Sequence, residues 1–170
     1  MDDGVYEKIF IHAAAQISPT RAEAEEEKKF ASKIAEKIIA QVGKGADIFW
    51  VGSAARDTGL RNDRDIDLFV SYPRELDEEL IVKRTIDAVK RSVVGKWEMH
   101  YAQHPYLQAQ IEGFKVEVIP CFKTAPHQDI KSAVDRSPLH MDYLQKRLNS
   151  HQKRDVRLLK KLLKVAGVYG

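Results

Sequence analysis

One segment of the chain, Asp65-Ile-Asp-Leu-Phe-Val-Ser71, constrains the fold more than any other. Its three aliphatic residues occupy alternate positions, and Asp65 and Asp67 occupy positions between them. Because successive side chains of a β-strand point to opposite faces of a sheet, this pattern predicts a strand with one apolar face. The two carboxylates then lie side by side on the other face.

Helical and strand patterns alternate along the chain, which predicts an α/β (α+β) fold. Helical periodicity covers residues 2–17, 19–42, 75–93, 129–134, 137–148 and 152–165, and strand patterns cover 48–51, 66–71, 97–103, 107–112 and 114–120. Ser18-Pro19 supplies the predicted start of the second helix, and Gly113 predicts a tight hairpin. The expected architecture is a small mixed β-sheet of about five strands flanked by helices.

Length and composition exclude several classes of protein. A chain of 170 residues is near the usual size of a single domain. It has no apolar run long enough to span a membrane, and its N-terminus is acidic. A single cysteine, Cys121, excludes an internal disulfide and is expected to be a buried hydrophobe. We therefore expect a cytoplasmic protein that does not enter the membrane.

Basic residues are concentrated near the C-terminal end. Residues 146–164 contain eight Lys and Arg against one acid, Asp155, whereas the whole chain carries a formal charge of only +3. Two interpretations remain open: a solvated helix face, or a surface that attracts a polyanion.

Three carboxylates are candidates for metal binding. Asp65 and Asp67 could share a hard divalent cation through their oxygens, although the same pair could also be a polar strand face in solvent. Glu117 lies among β-branched neighbours in a predicted strand, where a carboxylate requires a partner. If the two strands are neighbours, three carboxylates converge, as phosphoryl transfer with two cations requires. The alternative is an edge-strand glutamate beside Lys115.

A turn that could contact phosphates precedes the aspartates. Gly52-Ser53 follows a predicted strand, and Arg56 comes three residues later. Backbone N–H groups and a hydroxyl in such a turn can face a triphosphate. The spacing is not that of a P-loop. No histidine spacing predicts a zinc site, and His104 is expected to be structural.

Together these features are typical of polymerase-β-like nucleotidyltransferases, and the sequence closely resembles the archaeal (class I) CCA-adding enzymes, which are tRNA nucleotidyltransferases. The matching segments follow the family order from residue 47 onward: Val51-Gly-Ser-Ala-Ala-Arg56, Asp65-Ile-Asp-Leu-Phe69, Tyr101-Ala-Gln-His-Pro-Tyr106, Val116-Glu-Val-Ile-Pro-Cys121, Ser132-Ala-Val-Asp-Arg-Ser-Pro138 with His140, and Arg157-Leu-Leu-Lys160 through Gly167-Val-Tyr-Gly170. The first 45 residues match only as generic helices.

The resemblance implies a role for each matched residue. Mg²⁺ ions would be held by Asp65, Asp67 and Glu117. The phosphates and sugar of the incoming ATP or CTP would be bound by Ser53, Arg56, Ser137, His140, Lys160 and Tyr169. The implied reaction is attack of a tRNA 3′-hydroxyl on the α-phosphorus of the nucleotide, with pyrophosphate as the leaving group and Glu117 nearest the hydroxyl.

Three residues depart from the family pattern: Glu117 where Asp is usual, Gly59 where a bulky aromatic residue is common, and Gln103 where Glu is usual. The extra methylene of Glu117 still allows metal ligation, but the catalytic geometry implied by the family pattern does not transfer directly to it.

The implied organisation is N-terminal helices packed on the catalytic domain (1–45), a catalytic core (46–136) and C-terminal helices that complete the nucleotide site (137–170). The later tRNA-binding domains of the family are expected to be absent, so we expect weak, salt-sensitive tRNA binding and little preference among bases. The sequence does not predict an oligomeric state. Two alternatives remain open: a minimal nucleotidyltransferase that modifies a protein or a small molecule, and a nucleotide-binding module without turnover.

Overall fold

The computed structural model of the chain describes residues 3–102, 104–125, 128 and 130–169. Gln103 and Gly170 lie outside the described residues. Positions 126 and 127, before the predicted 129–134 helix, and position 129, at its start, lie outside them as well. The strands are β1 (Asp47–Val51), β2 (Asp65–Tyr72), β3 (Glu98–Tyr101), β4 (Pro105–Ile111) and β5 (Phe114–Phe122). The helices are α1 (Asp3–Ile17), α2 (Arg21–Val42), α3 (Gly52–Ala55), α4 (Glu78–Ser92), α5 (Ser137–Arg147) and α6 (Ser150–Val165), with a 3₁₀ helix at Ala133–Arg136.

The strands form one mixed sheet in the order β1-β2-β5-β4-β3. β2 and β5 run parallel to each other, whereas the other three neighbouring pairs are antiparallel. The predicted α/β class and the predicted five-stranded mixed sheet are confirmed. β5 is the central strand, so the interpretation of Glu117 as an edge-strand residue is wrong.

One face of the sheet packs against α2 and α4. Ile66, Leu68 and Val70 of β2 are fully buried there, as their alternation predicts. From α2, Phe30, Ile34 and Ile38 enter the same core, with at most 5% of each exposed. Phe30 stacks on Phe114 of β5 with ring centroids 4.2 Å apart. This core fixes which side of β2 carries the aspartates.

Among the described residues, those of α5 cover one end of the opposite face of the sheet. Phe69, Ile119 and Cys121 lie at that end, beneath Met141 of α5. Burial of the Cys121 thiol raises its pKa to about 12, which agrees with its predicted role as a small hydrophobe. The other end of this face, which carries the acidic residues of β2 and β5, remains open.

Predicted and observed element boundaries differ in several places. α2 begins after Thr20 rather than after Ser18, because the Thr20 hydroxyl accepts from the Glu23 N–H while the Glu23 carboxylate accepts from the Thr20 N–H. The helix predicted at 129–134 is a 3₁₀ helix that begins at Ala133. The short helix α3, directly after Gly52, was not predicted.

The N-terminal helix α1 contributes little to the core. Ala14 is buried, but Val5, Ile9 and Phe10 are about half exposed. Its clearest contact with the C-terminal part of the chain is an ion pair of 2.5 Å between Glu7 and Arg154 of α6. Among the described helices, none is sufficiently long and apolar to cross a lipid bilayer.

A buried carboxylate fastens the 3₁₀ helix to the sheet. Asp135, only 1% exposed, accepts hydrogen bonds from the backbone N–H of Phe122 (2.8 Å) and of Ser132 (2.9 Å). One oxygen caps the 3₁₀ helix and the other satisfies the end of β5. Asp135 therefore fixes where α5 begins relative to the sheet.

We expect Asp135→Ala to lower the free energy of unfolding by about 2–4 kcal/mol, because one buried and one half-buried backbone N–H lose their acceptor. Asp142→Ala is the matched control, since it removes an exposed aspartate that is paired with Lys146 on α5; it should cost less than about 0.5 kcal/mol. Denaturant unfolding measures both. Equal losses in the two variants would contradict this role of Asp135.

Candidate active site

The register of the parallel strands β2 and β5 brings two carboxylates together. Asp67 lies directly opposite Glu117, and Asp65 lies opposite Lys115. All four residues are on the sheet face that points away from α2 and α4, because each is two positions from the next along its strand. The condition set by the sequence, that the two acidic strands be neighbours, is met.

Gly52 leaves the space that the Asp67 side chain occupies. A Cβ atom on Gly52 would lie 1.9 Å from Oδ2 of Asp67, and the φ angle of Gly52 is +81°. Both the close approach and the left-handed conformation require glycine here. Gly52 also begins α3, so the same residue turns the chain from β1 into the segment that carries Arg56.

A cavity of about 510 Å³ lies over the carboxylate face. Five of the predicted site residues line it: Arg56, Asp67, Glu117, Ser137 and His140. The remaining lining residues are Val51, Gly52, Phe69, Ala102, His104, Tyr106, Ile119 and Val134. Residues from β2, β5, the α3 end and α5 therefore meet in one cavity, although they span more than 80 positions of the sequence.

Four predicted site residues do not line the cavity. Asp65 is exposed at the start of β2, and Ser53 lies in α3, where its carbonyl accepts from the Thr58 N–H. Lys160 and Tyr169 lie outside it as well: Lys160 Nζ donates to the Thr58 carbonyl at 3.4 Å, and the Tyr169 ring lies 6.0 Å from the same nitrogen.

The electrostatics of the carboxylate face are unfavourable without a cation. Burial, with a smaller contribution from the nearby charges of Glu117 and Asp65, raises the pKa of Asp67 to about 6. Among the described residues, no three His, Cys, Asp or Glu side chains are already gathered as a metal-binding group. Glu117 is instead paired with Lys115, whose Nζ lies 2.7 Å from Oε1.

The donor set nevertheless fits a hard divalent cation. Mg²⁺ prefers carboxylate oxygens, and Asp67 and Glu117 present them from adjoining strands with Asp65 beside them. A cation there would offset the repulsion that raises the pKa of Asp67.

His104 joins three elements at the cavity wall. Its Nδ1 lies 2.9 Å from the Glu78 carboxylate of α4, and its Nε2 is hydrogen-bonded to the Ser132 hydroxyl before the 3₁₀ helix. The sequence interpretation of His104 as structural agrees with these contacts but did not place it at the cavity. No sequence signal identifies these partners, which are 26 and 28 residues away.

The basic residues of α6 are largely engaged within the fold. Arg157 is buried and donates to the carbonyls of Gly59 and Asp57 at 3.1 and 2.5 Å and to the Asp57 carboxylate. Lys153 also pairs with Asp57, and Lys164 pairs with Asp63 at 2.6 Å. The interpretation of this stretch as a solvated face is therefore incomplete, because part of it holds the loop after α3.

Sequence comparison agrees with this geometry. The model of the nucleotidyltransferase domain family matches residues 31–140, which include β1, β2, β5, all three carboxylates and the start of α5. The chain belongs to this family.

Curated relatives of this chain are CCA-adding enzymes. The one from Pyrobaculum neutrophilum is 40% identical over 166 residues, covering 96% of this chain and 40% of that protein. The one from Halobacterium salinarum is 42% identical over 158 residues, covering 91% of this chain and 35% of that protein. The resemblance to archaeal CCA-adding enzymes is confirmed, and the chain spans about two fifths or less of the length of these relatives.

Solved structures share the fold at low sequence identity. The GLD-2/RNP-8 complex superposes with a TM-score of 0.74 at 16% identity, over 98% of this chain and 50% of that one. Cid1, an RNA terminal uridylyl transferase, gives a TM-score of 0.69 at 16% identity, over 94% and 47% of the two chains. The polymerase-β-like nucleotidyltransferase fold is thereby confirmed.

We expect Gly52→Ala to destabilise the protein by about 3 kcal/mol or more, because its Cβ would overlap Asp67 in addition to the cost of a left-handed alanine. Gly43→Ala is the matched control: its φ is +100°, but nothing lies within 4 Å of its Cβ. It should cost only about 1–2 kcal/mol. Denaturant unfolding of both variants checks this, and equal costs would show that Asp67 does not require the space.

The raised pKa of Asp67 predicts a pH dependence. Because the folded state binds the Asp67 proton more tightly than the unfolded chain does, stability falls as pH rises from the ordinary value of 3.8 to about 6 and stays lower above it. In metal-free protein, Asp67→Asn should therefore raise the free energy of unfolding by about 2–3 kcal/mol above pH 7 and by about zero near pH 4.

Denaturant unfolding at a series of pH values measures this difference. Asp87→Asn, which changes an exposed aspartate of α4, is the control and should give about zero throughout. A gain from Asp67→Asn that does not change between pH 4 and pH 7 would contradict the assignment.

Proposed function

We propose that this chain is the catalytic part of a CCA-adding tRNA nucleotidyltransferase, which transfers CMP and AMP from CTP and ATP to a tRNA 3′ end. One observation carries the proposal: Asp67 and Glu117 face each other across two parallel strands, in a cavity that also receives Arg56, Ser137 and His140. The identity of about 40% to CCA-adding enzymes supports the choice of tRNA as the acceptor.

Asp65, Asp67 and Glu117 would hold divalent cations, which we propose are Mg²⁺. When bound, such ions lower the pKa of an attacking hydroxyl and offset the negative charge of the phosphates. The preference of Mg²⁺ for carboxylate oxygens supports this ion over metals that favour nitrogen or sulfur ligands.

The remaining cavity residues would bind and orient the nucleotide. Arg56 and His140 can donate hydrogen bonds to phosphate oxygens, and the Ser137 hydroxyl at the start of α5 can do the same. Ser53, Lys160 and Tyr169 would act from outside the cavity as it is described. Burial lowers the pKa of Lys160.

The acceptor RNA would be bound weakly by this chain alone. Of the eight basic residues between positions 146 and 164, several neutralise acids of the same chain, among them Lys153, Lys164 and Arg157. Phosphate contacts by the remainder would orient RNA without reading its bases. We therefore propose little preference among the four nucleotides and a strong dependence on salt.

The test is incubation of the protein with Mg²⁺, ATP or CTP labelled at the α-phosphate, and tRNA lacking its terminal CCA. Label in the tRNA, lost in Asp67→Asn and retained in Asp87→Asn, would support the proposal. Label in a protein or a small molecule instead would favour a different transferase. Binding of ATP with no transfer at high tRNA concentration would indicate a nucleotide-binding module.

We expect Arg56→Ala to weaken ATP binding about tenfold or more, because a charge-assisted contact to phosphate is removed from the cavity. Arg91→Ala, at an exposed position in the last turn of α4, should bind as the unaltered protein does. Calorimetry with ATP measures both, and Lys160→Ala extends the series to the cation outside the cavity. Unchanged binding in both Arg56→Ala and Lys160→Ala would place the triphosphate elsewhere.

A further inference from the structure

Lys115 lies inside the carboxylate site. It is on β5, on the same face as Glu117, with 2.7 Å between its Nζ and Glu117 Oε1. Its partner in the sheet register is Asp65, and Asp67 is the register partner of Glu117. One ammonium group therefore faces the three carboxylates that would hold the metal ions.

We propose that Lys115 is a built-in counter-ion that competes with a divalent cation for Glu117. The pair holds Glu117 away from metal binding, and the ammonium has to leave before Glu117 can become a ligand. This inference rests on the proposed function, because it concerns the same three carboxylates.

Charge balance explains why the site needs such a group. Without a cation, three adjacent carboxylates, one of them largely buried, repel one another, and a single ammonium relieves part of that repulsion. A lysine ammonium is charged at neutral pH, and this one lies 2.7 Å from Glu117 Oε1. The ion pair thus stabilises the metal-free site.

A divalent cation and the ammonium cannot both occupy this position. Two cations within a few ångströms repel each other strongly where water is partly excluded. The Lys115 side chain has room to withdraw, since 38% of it is exposed and its stem is flexible. Metal affinity therefore includes the cost of separating Lys115 from Glu117.

The length of Glu117 makes the pair possible. Side chains two positions apart on a strand leave it about 6–7 Å apart, a gap that a lysine and a glutamate span together. An aspartate at this position is one methylene shorter and would withdraw its carboxylate from Lys115. Glu117→Asp therefore tests whether an effect of Lys115 on metal binding requires the ion pair or only the lysine charge.

The first measurement is calorimetric titration of the metal-free protein with Mn²⁺ alone, without nucleotide or RNA. Lys115→Met, which keeps most of the stem and removes the charge, should lower the Mn²⁺ dissociation constant about three- to tenfold, corresponding to the loss of one partly buried ion pair. Lys33→Met is the matched control, because Lys33 forms a 3.0 Å pair with Glu112 away from the site. It should leave the dissociation constant unchanged.

A double-mutant cycle then tests whether Lys115 acts through Glu117. In the Glu117→Asp background, Lys115→Met should change the Mn²⁺ dissociation constant by less than about twofold. An equal effect in both backgrounds would overturn the inference, because it would show a long-range charge effect only. Circular dichroism checks folding, and Lys115→Gln replaces Lys115→Met if the latter does not fold.

The outcomes separate this inference from the proposed function. If the unaltered protein binds no Mn²⁺, or binds it as well after Asp67→Asn, the proposed metal site itself fails. If the unaltered protein binds Mn²⁺, Asp67→Asn does not, and Lys115→Met binds with unchanged or weaker affinity, only the role of Lys115 is overturned.

Discussion

The parallel pairing of β2 with β5 is the contact on which the site depends. It places Asp67 opposite Glu117, and a shift of this register by one residue would turn one of the carboxylates toward the helices α2 and α4. The apolar residues on the other side of both strands prevent such a shift, because they fill the core between the sheet and these helices. The hydrophobic core thus determines where the acidic groups lie, although none of its residues touches the cavity.

The same pairing brings negatively charged side chains close together, and neighbouring residues offset part of their repulsion. Asp67 is kept close to like charges by the backbone, with Gly52 leaving room for it on one side. Lys115 supplies a compensating charge from the neighbouring strand. Lys115 therefore offsets part of the repulsion within this cluster of acids.

Much of this arrangement could be predicted from the sequence, because it depends on local patterns. The alternation in β2 gave both faces of the strand, and the turn at Gly113 with the strands around it was also foreseen. The contact between β2 and β5 could be stated only as a condition, since a pairing between segments about 50 residues apart has no local signature. The sequence prediction chose Ser18 as the cap of α2 because both hydroxyl residues fit the pattern. Thr20 is the cap in the structure because it alone has a glutamate, Glu23, three residues later.

The site residues divide in the same way. Asp67 and Glu117 were predicted from the chemistry of their strands and Arg56 from its place after the Gly52-Ser53 turn, whereas Ser137 and His140 needed the family resemblance. Lys115 was visible in the sequence on the same strand face as Glu117, but it was considered only as part of an alternative in which Glu117 has no function. Its partnership with the whole carboxylate group required the neighbouring strand to be seen.

The contacts of Arg157 extend into α6 the part of the fold that supports the loop after Arg56. The family match stops at residue 140, yet Arg157 of α6 holds the loop that directly follows Arg56, through the carbonyls of Asp57 and Gly59. A substitution of Arg157 can therefore shift the loop beside Arg56, the residue proposed to contact the triphosphate. The end of the family match at residue 140 therefore falls inside a part of the fold that α6 helps to hold together.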